Sequence, residues 1–310
     1  MKKRREAFHV KQTDPMFSLI MSIMPKRYDA TNYAMVDIPC EGMDNFIKGQ
    51  IAQTGRRYSY MHVVIAALVR GFAMRPYLNR FVMNARLYEH YGVTVAFTIK
   101  QTMVDDAEEL IVKHTFCGHE SIMEISDTLD KIIEESLAAN YNPTKEKTVA
   151  VGGLPVPLSK MVVAFLKYLD RHNRMPRAFM DISPFHTSFF ITNLKSLKME
   201  SINHHCYDFG TTSLFFSMGK EKLKPVVNED KEIAISKIMQ LGISSDERIC
   251  DGHYLARSFH LFRRLIAHPE MLMEEYHDAK TDAEIERRKL AAEEEQKKLA
   301  KKQKRAQKTA

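Results

Sequence analysis

The chain has 310 residues, 45% of them apolar, which is enough for one large domain or two small ones with a sizeable core. The net charge is +7, but residues 278–310 hold 11 basic and 7 acidic residues, so the body is close to balanced and does not suggest a nucleic-acid-binding domain. No apolar run approaches the roughly 20 residues of a membrane span, and Cys40, Cys117, Cys206 and Cys250 form no C-x-x-C pair and no metal spacing, so the thiols fit a reducing cytoplasm and no metal is expected.

Residues 1–15 read as a polar, basic arm. Met1-Lys2-Lys3-Arg4-Arg5 followed by the apolar patch Met16–Met24 has a faint likeness to a signal peptide. Asp14-Pro15 interrupts it and no small-x-small cleavage site follows, so the patch is expected to be the first helix of the domain. Tyr33–Ile38 predicts a strand that ends at Pro39, and Met43–Thr54 predicts a helix. Ser59–Met74 is a stronger helix, with Met61, Val64, Ile65, Leu68 and Phe72 at intervals of three or four. Tyr91–Ile99 alternates Val93, Val95, Phe97 and Ile99 and predicts a strand, with Leu110–Thr115 as a partner. Ser121-Ile122-Met123-Glu124 has the capping-box pattern and opens a helix that runs to Ala139.

Pro143–Pro157 reads as a loop and Leu158–Arg171 as a helix whose Lys160, Lys167 and Asp170 suit a buried or subunit-facing position. Phe185–Leu194, Thr211–Met218 and Ile233–Ile243 are expected strands, and Gly252–His268 an expected helix that stops before Pro269. This alternation predicts an α/β sandwich in two layers. The division is an arm (1–15), a domain (16–277) and a charged tail (278–310). The tail has Glu284–Arg288, Glu293–Lys297 and Glu294–Lys298 pairs but no broad apolar stripe, so it reads as a solvated helix or a disordered segment. An arm that binds a partner or nucleic acid is the sharper alternative, because Lys301, Lys302, Lys304, Arg305 and Lys308 end the chain without an acid.

The stretch Asp246-Glu247-Arg248-Ile249-Cys250-Asp251-Gly252 resembles the D-H-R-x-x-D-G signature of the CoA-dependent acyltransferases, with Glu247 in the place of the histidine. That family contains the catalytic domain of dihydrolipoyl acyltransferases and chloramphenicol acetyltransferase. The following helix and the close Ala267-His268-Pro269-Glu270-Met271-Leu272 are similar to the end of the dihydrolipoyl enzymes. Two further blocks carry the likeness. Thr187-Ser188-Phe189-Phe190-Ile191-Thr192-Asn193-Leu194 is similar to the family's G-T-F-T-I-S-N-L-G strand, and Gly210–Gly219 to a strand that ends in a valine- or methionine-glycine. The resemblance covers residues 16–275, and the region from Thr144 to Pro184 departs from the family and looks expanded. The arm that precedes the domain is too short for a lipoyl or subunit-binding domain.

The resemblance implies a two-layer fold like that of chloramphenicol acetyltransferase. It also implies a homotrimer with each active site between subunits, Thr192 from one subunit and the 246–252 loop from its neighbour, and coenzyme A as the acyl carrier. In the family a histidine deprotonates a thiol or hydroxyl, the anion attacks a thioester, and a hydroxyl stabilises the oxyanion. Thr192 sits at that hydroxyl's position; an ordinary strand threonine would also be at home there. Glu247 sits at the base's position, where proton transfer from a thiol to a free carboxylate is uphill by roughly 4 pKa units, or about 6 kcal/mol. Burial would narrow the gap, and a structural carboxylate is the other reading. His186, Ser188, Phe190 and Thr192 would share one strand face by period two, which makes His186 a candidate base; His253 and the His204-His205 pair are weaker ones. Asp251 maps to an aspartate that forms a structural ion pair with an N-terminal arginine, for which Arg27 is the expected partner, and Gly252 would allow a tight entry into the helix.

The expected function is transfer of an acyl group between CoA and an unidentified thiol, amine or hydroxyl acceptor. The alternative is a non-catalytic relative that binds acyl-CoA or builds an assembly.

Overall fold

The computed structural model describes residues 4, 6–11, 14–100, 109–139, 153–227, 230–291 and 293. Six strands form the main sheet: β2 (Thr31–Pro39), β5 (Val93–Lys100), β6 (Glu109–Phe116), β7 (Phe189–Asn193), β8 (Leu214–Val227) and β9 (Ile233–Asp246), in the order β2-β9-β8-β7-β5-β6. β7 runs parallel to both β5 and β8, and the other pairs are antiparallel. Helices α2 (Glu41–Thr54), α3 (Tyr60–Met74), α4 (Ile122–Ala139) and α7 (Gly252–Ala267) make the second layer. This is the expected two-layer α/β sandwich.

Period two sorts each strand into a core face and an outer face. Val95 and Phe97, Phe189 and Ile191, and Leu214, Phe216 and Met218 enter the core with α3. The expected periodicity of α3 is present, but the helix is buried almost all round because it lies between the sheet and α4 and α7. Ser59 caps it, and Ser121 and Glu124 form the expected capping box before α4, each side chain accepting the other's backbone N–H. Phe72, Phe189, Phe216 and Phe262 form the centre of the core, with Phe72 and Phe189 rings 4.9 Å apart and Phe216 and Phe262 5.7 Å apart. Gly71 makes the α3–α7 crossing possible: a Cβ there would stand 2.2 Å from the Phe262 ring.

Several segments differ from expectation. The N-terminal arm contains a strand, β1 (Ala7–His9), which joins β4 (Arg86–His90) and β3 (Arg80–Met83) in a small sheet of order β1-β4-β3. Arg4 is buried, its guanidinium bound to Asp170 at 2.8 Å, so charge pairing anchors a segment that hydropathy reads as solvated. The start of the tail is also packed. Residues 279–291 are helical (α8), Thr281 and Glu284 are buried, and Arg288 donates to the carbonyls of Thr115 and Phe116 on β6 at 3.0 and 2.9 Å. The basic end of the tail and the pairs of Glu293 and Glu294 with Lys297 and Lys298 lie outside the described residues, as does most of the 143–157 loop. Helix α1 (Pro15–Ile23) is present, as are α5 (Val156–Arg171) and α6 (Arg177–Ile182) in the expanded region. α5 exposes Met161 and Phe165 and buries Asp170.

The β8–β9 hairpin is longer than expected. Its inner half is paired with β7 and β2, whereas 220–227 and 233–237 project as a two-stranded ribbon. Leu223, Val227, Ile233 and Ile235 share one face by register and are 68–80% exposed. No helix among the described residues is long and apolar enough to cross a membrane.

Candidate active site

The outer face of the main sheet carries a cavity of about 330 Å³. Phe190 and Thr192 of β7, Phe215 of β8, Thr98 of β5 and Ile111 of β6 form its floor, because they alternate with the core residues of the same strands. The segment 202–207 covers it from one side. That segment lies flat on the sheet because two strand positions have no side chain. A Cβ on Gly219 would stand 2.5 Å from the Ser201 amide nitrogen, and one on Gly242 would stand 2.7 Å from the Ile202 carbonyl oxygen. Ser217 fastens the segment, accepting from the Ile202 N–H at 3.2 Å and donating to its carbonyl at 2.6 Å. His204 is thereby laid on Phe215 with ring centroids 3.9 Å apart.

Thr192 lines this cavity, and its hydroxyl has no hydrogen-bond partner among the described residues. His204 and Cys206 line it as well. Burial pushes the Cys206 thiol up to about 12, so this sulfur stays protonated and is no nucleophile at neutral pH. Burial pushes His204 below its ordinary value and outweighs the bond to the His205 carbonyl, which works the other way, so the neutral ring is favoured.

His186 does not join Thr192. β7 begins at Phe189, and His186 lies in the turn that precedes it, so the period-two argument stops short of it. Its Nδ1 is 2.8 Å from the Ser183 hydroxyl and its Nε2 is 3.4 Å from Asp170, which also holds Arg4. It faces a separate polar cavity of about 260 Å³ with Lys113 and His90.

The signature loop is held by charge. Asp246 is fully buried and accepts from Nε and Nη2 of Arg248, both at 2.7 Å. Arg248 also donates to the Met24 carbonyl at 2.7 Å. Arg27 approaches Asp246 at 3.5 Å and donates to the carbonyls of Tyr207 and Gly210. The expected pair of Arg27 with Asp251 is therefore replaced by one with Asp246. Asp251 is exposed and instead caps α7, accepting from the Tyr254 N–H at 2.9 Å. Gly252 needs no glycine for a tight entry: a Cβ there would meet nothing within 4 Å. Glu247 is half-buried, accepts from Asn32 Nδ2 at 2.8 Å, and is not among the residues lining the Thr192 cavity of its own chain.

A three-residue donor cluster, Cys117, His119 and Glu120, was not legible as a metal spacing. Their donor atoms lie within 4.8 Å of one another. Both Glu120 oxygens already accept backbone N–H groups, from Cys117 and Gly118, and burial pushes Cys117 up to about 11, so the cluster also works as a closed turn.

The profile of the 2-oxoacid dehydrogenases acyltransferase (catalytic domain) family matches residues 212–274, which hold β8, β9, the signature loop and α7. The dihydrolipoamide acetyltransferase of Azotobacter vinelandii superposes with a TM-score of 0.52 at 13% identity, over 85% of this chain and 94% of that one. The chain resembles this acyltransferase family and has its fold. The cubic core of the pyruvate dehydrogenase multienzyme complex gives the same values, a TM-score of 0.52, 13% identity and coverage of 85% and 94%. A chloramphenicol acetyltransferase gives a TM-score of 0.51 at 9% identity, over 84% of this chain and 99% of that one. No curated protein matches the sequence.

Proposed function

We propose that the protein transfers an acyl group between CoA and a thiol, amine or hydroxyl acceptor, and that it works as a homotrimer. The observation that carries this reading is the Thr192 hydroxyl, uncommitted at the wall of a cavity of about 330 Å³. That volume lies in the range of small-molecule sites, roughly 300–1,000 Å³, and suits the thioester end of an acyl-CoA. The proposed role of Thr192 is to donate to the oxyanion that forms when the thioester carbonyl is attacked. In the proposed trimer Glu247 would face the Thr192 cavity of a neighbouring subunit, as the family likeness implies, with Arg27, Asp251 and Gly252 belonging to the framework of its loop.

The projecting β8–β9 ribbon supports the oligomer. An isolated two-stranded ribbon with an apolar face is at best marginal in water, and a neighbouring copy would cover it. The four free cysteines suit a reducing compartment, and a cytoplasmic location is part of the proposal. The reading of a protein that binds acyl-CoA without turnover is favoured by one observation, the hydrogen bond that ties Glu247 to Asn32.

The test is CoA release from a panel of acyl-CoAs with dihydrolipoamide and simple amines as acceptors. Thr192→Val should lower kcat by about 10²–10³, the usual loss for one oxyanion donor, while acyl-CoA binding persists. Equal turnover in wild type and Thr192→Val would sink the assigned role. Binding without turnover in the wild type would establish the non-catalytic reading.

A further inference from the structure

Resting on the acyl-transfer reading, we propose that His204 is the general base of this site and replaces the histidine that the signature lacks. Three independent observations converge on it. His204 and Thr192 line the same cavity of the same chain. The ring is clamped face to face on Phe215, 3.9 Å between centroids and 6° between planes, so its orientation is set. Its Nδ1 lies 2.9 Å from the backbone carbonyl of His205, an acceptor, so Nδ1 carries the hydrogen and Nε2 keeps the lone pair. Nε2 has no hydrogen-bond partner among the described residues.

A base must be unprotonated before it acts. Burial favours the neutral ring and outweighs the bond to the His205 carbonyl, which works the other way; the charge of His205 adds the smallest push towards the neutral form. The titratable groups around it are His205, Tyr207 (ring centroid 5.7 Å away), and Glu109 and Cys206 on the cavity wall. A free imidazole gives up about 10²-fold in equilibrium against a thiol, where a free carboxylate gives up about 10⁴-fold, and the burial of His204 takes back part of that advantage. Chemistry therefore favours His204 over Glu247 and Glu109.

The step balances within the site. Nε2 takes the proton of the acceptor S–H as sulfur bonds to the thioester carbonyl carbon. The oxyanion is held by the Thr192 hydroxyl. Collapse breaks the carbon–sulfur bond to CoA, and the leaving thiolate takes the proton back from Nε2. The base and the oxyanion donor come from one chain, so a neighbouring subunit closes the cavity without supplying the proton acceptor.

The experiment compares His204→Gln, His204→Ala and, as a control at an exposed helix position, His260→Gln, with dihydrolipoamide as acceptor. His204→Gln should lower kcat by about 10²–10⁴, the span of general-base catalysis, with KM nearly unchanged. In the wild type, kcat/KM should rise with pH through a pKa below about 6.5, and that limb should vanish in the variant. Added imidazole should restore turnover to His204→Ala, which a purely structural loss would not allow. His260→Gln should behave as wild type. An active wild type whose His204→Gln variant stays within about threefold, with its acid limb intact, would overturn the role of His204 alone. A wild type that binds acyl-CoA but transfers nothing to any acceptor would overturn the acyl-transfer reading, and His204 with it.

Discussion

Asp246→Asn tests whether charge holds the signature loop in place. The carboxylate is fully buried and is the anion for two guanidiniums, Arg248 at 2.7 Å and Arg27 at 3.5 Å, both themselves buried. Asparagine keeps the volume and one acceptor but removes the charge, and one amide face then presents N–H to a cation. Breaking a buried pair from one side costs about 3–5 kcal/mol, because the remaining charge is left without a counter-ion in a medium that solvates it poorly. For a domain of this size each kcal/mol is worth roughly 2–4 °C of Tm, so a fall of about 6–20 °C is expected. The assay is urea and thermal unfolding of wild type, Asp246→Asn, Arg248→Met and the double variant. Removing the arginine along with the carboxylate removes the orphaned charge, so the double variant should be less destabilised than the two single losses added together. A Tm for Asp246→Asn within about 2 °C of wild type, or strict additivity of the cycle, would refute the reasoning.

Gly71→Ala should destabilise by about 1–2 kcal/mol, since overpacking against the buried Phe262 ring outweighs the roughly 1 kcal/mol gained in helix propensity. Phe262→Leu in the same chain should recover part of that loss, measured by urea midpoint. His90 is pushed down to about 3 by burial, with Arg4 and Lys113 adding to it. The unfolded chain takes up this proton near pH 6.5 and the folded chain does so only near 3, so acid favours unfolding across that window and stability falls as pH drops through it. The loss of stability between pH 7 and pH 4.5 should be smaller in His90→Gln; an identical loss would show that His90 is not responsible. Ile235→Lys places a charge on the exposed apolar face of the ribbon and should shift sedimentation from the proposed trimer towards monomer, with the monomer's circular dichroism unchanged.

What could be read from the sequence follows from where the physics is local. The α3 helix announces itself through its spacing, α4 through its Ser121–Glu124 capping box, and the signature loop through contiguous residues. The β3–β4 hairpin was silent because its turn is Asn84-Ala85, with both residues at positive φ (52° and 51°), where an Asn-Gly pair would have signalled it. His186 was misplaced because a turn after Pro184 delays the strand to Phe189, and alternation carries information only inside a strand. The β1 strand and α8 depend on ion pairs, the buried pair of Arg4 with Asp170 and the half-buried pair of Glu284 with Arg288, which hydropathy scores as solvent-facing. His204 had no signal in its neighbours, because its placement depends on Gly219 and Gly242, glycines that matter only once the strands are paired.

Arg288 gives the main sheet a stopped end. A strand arriving at the end of β6 finds the carbonyls of Thr115 and Phe116 already occupied by one guanidinium, so this end of the border is blunted as a template for foreign backbone. The sheet is thus stopped at the Thr115–Phe116 end of β6. A nick that releases α8 would unmask the sealed border, and the segment 279–291 is in that sense an intramolecular chaperone, protecting in the finished protein the edge that a misassembling chain would seek.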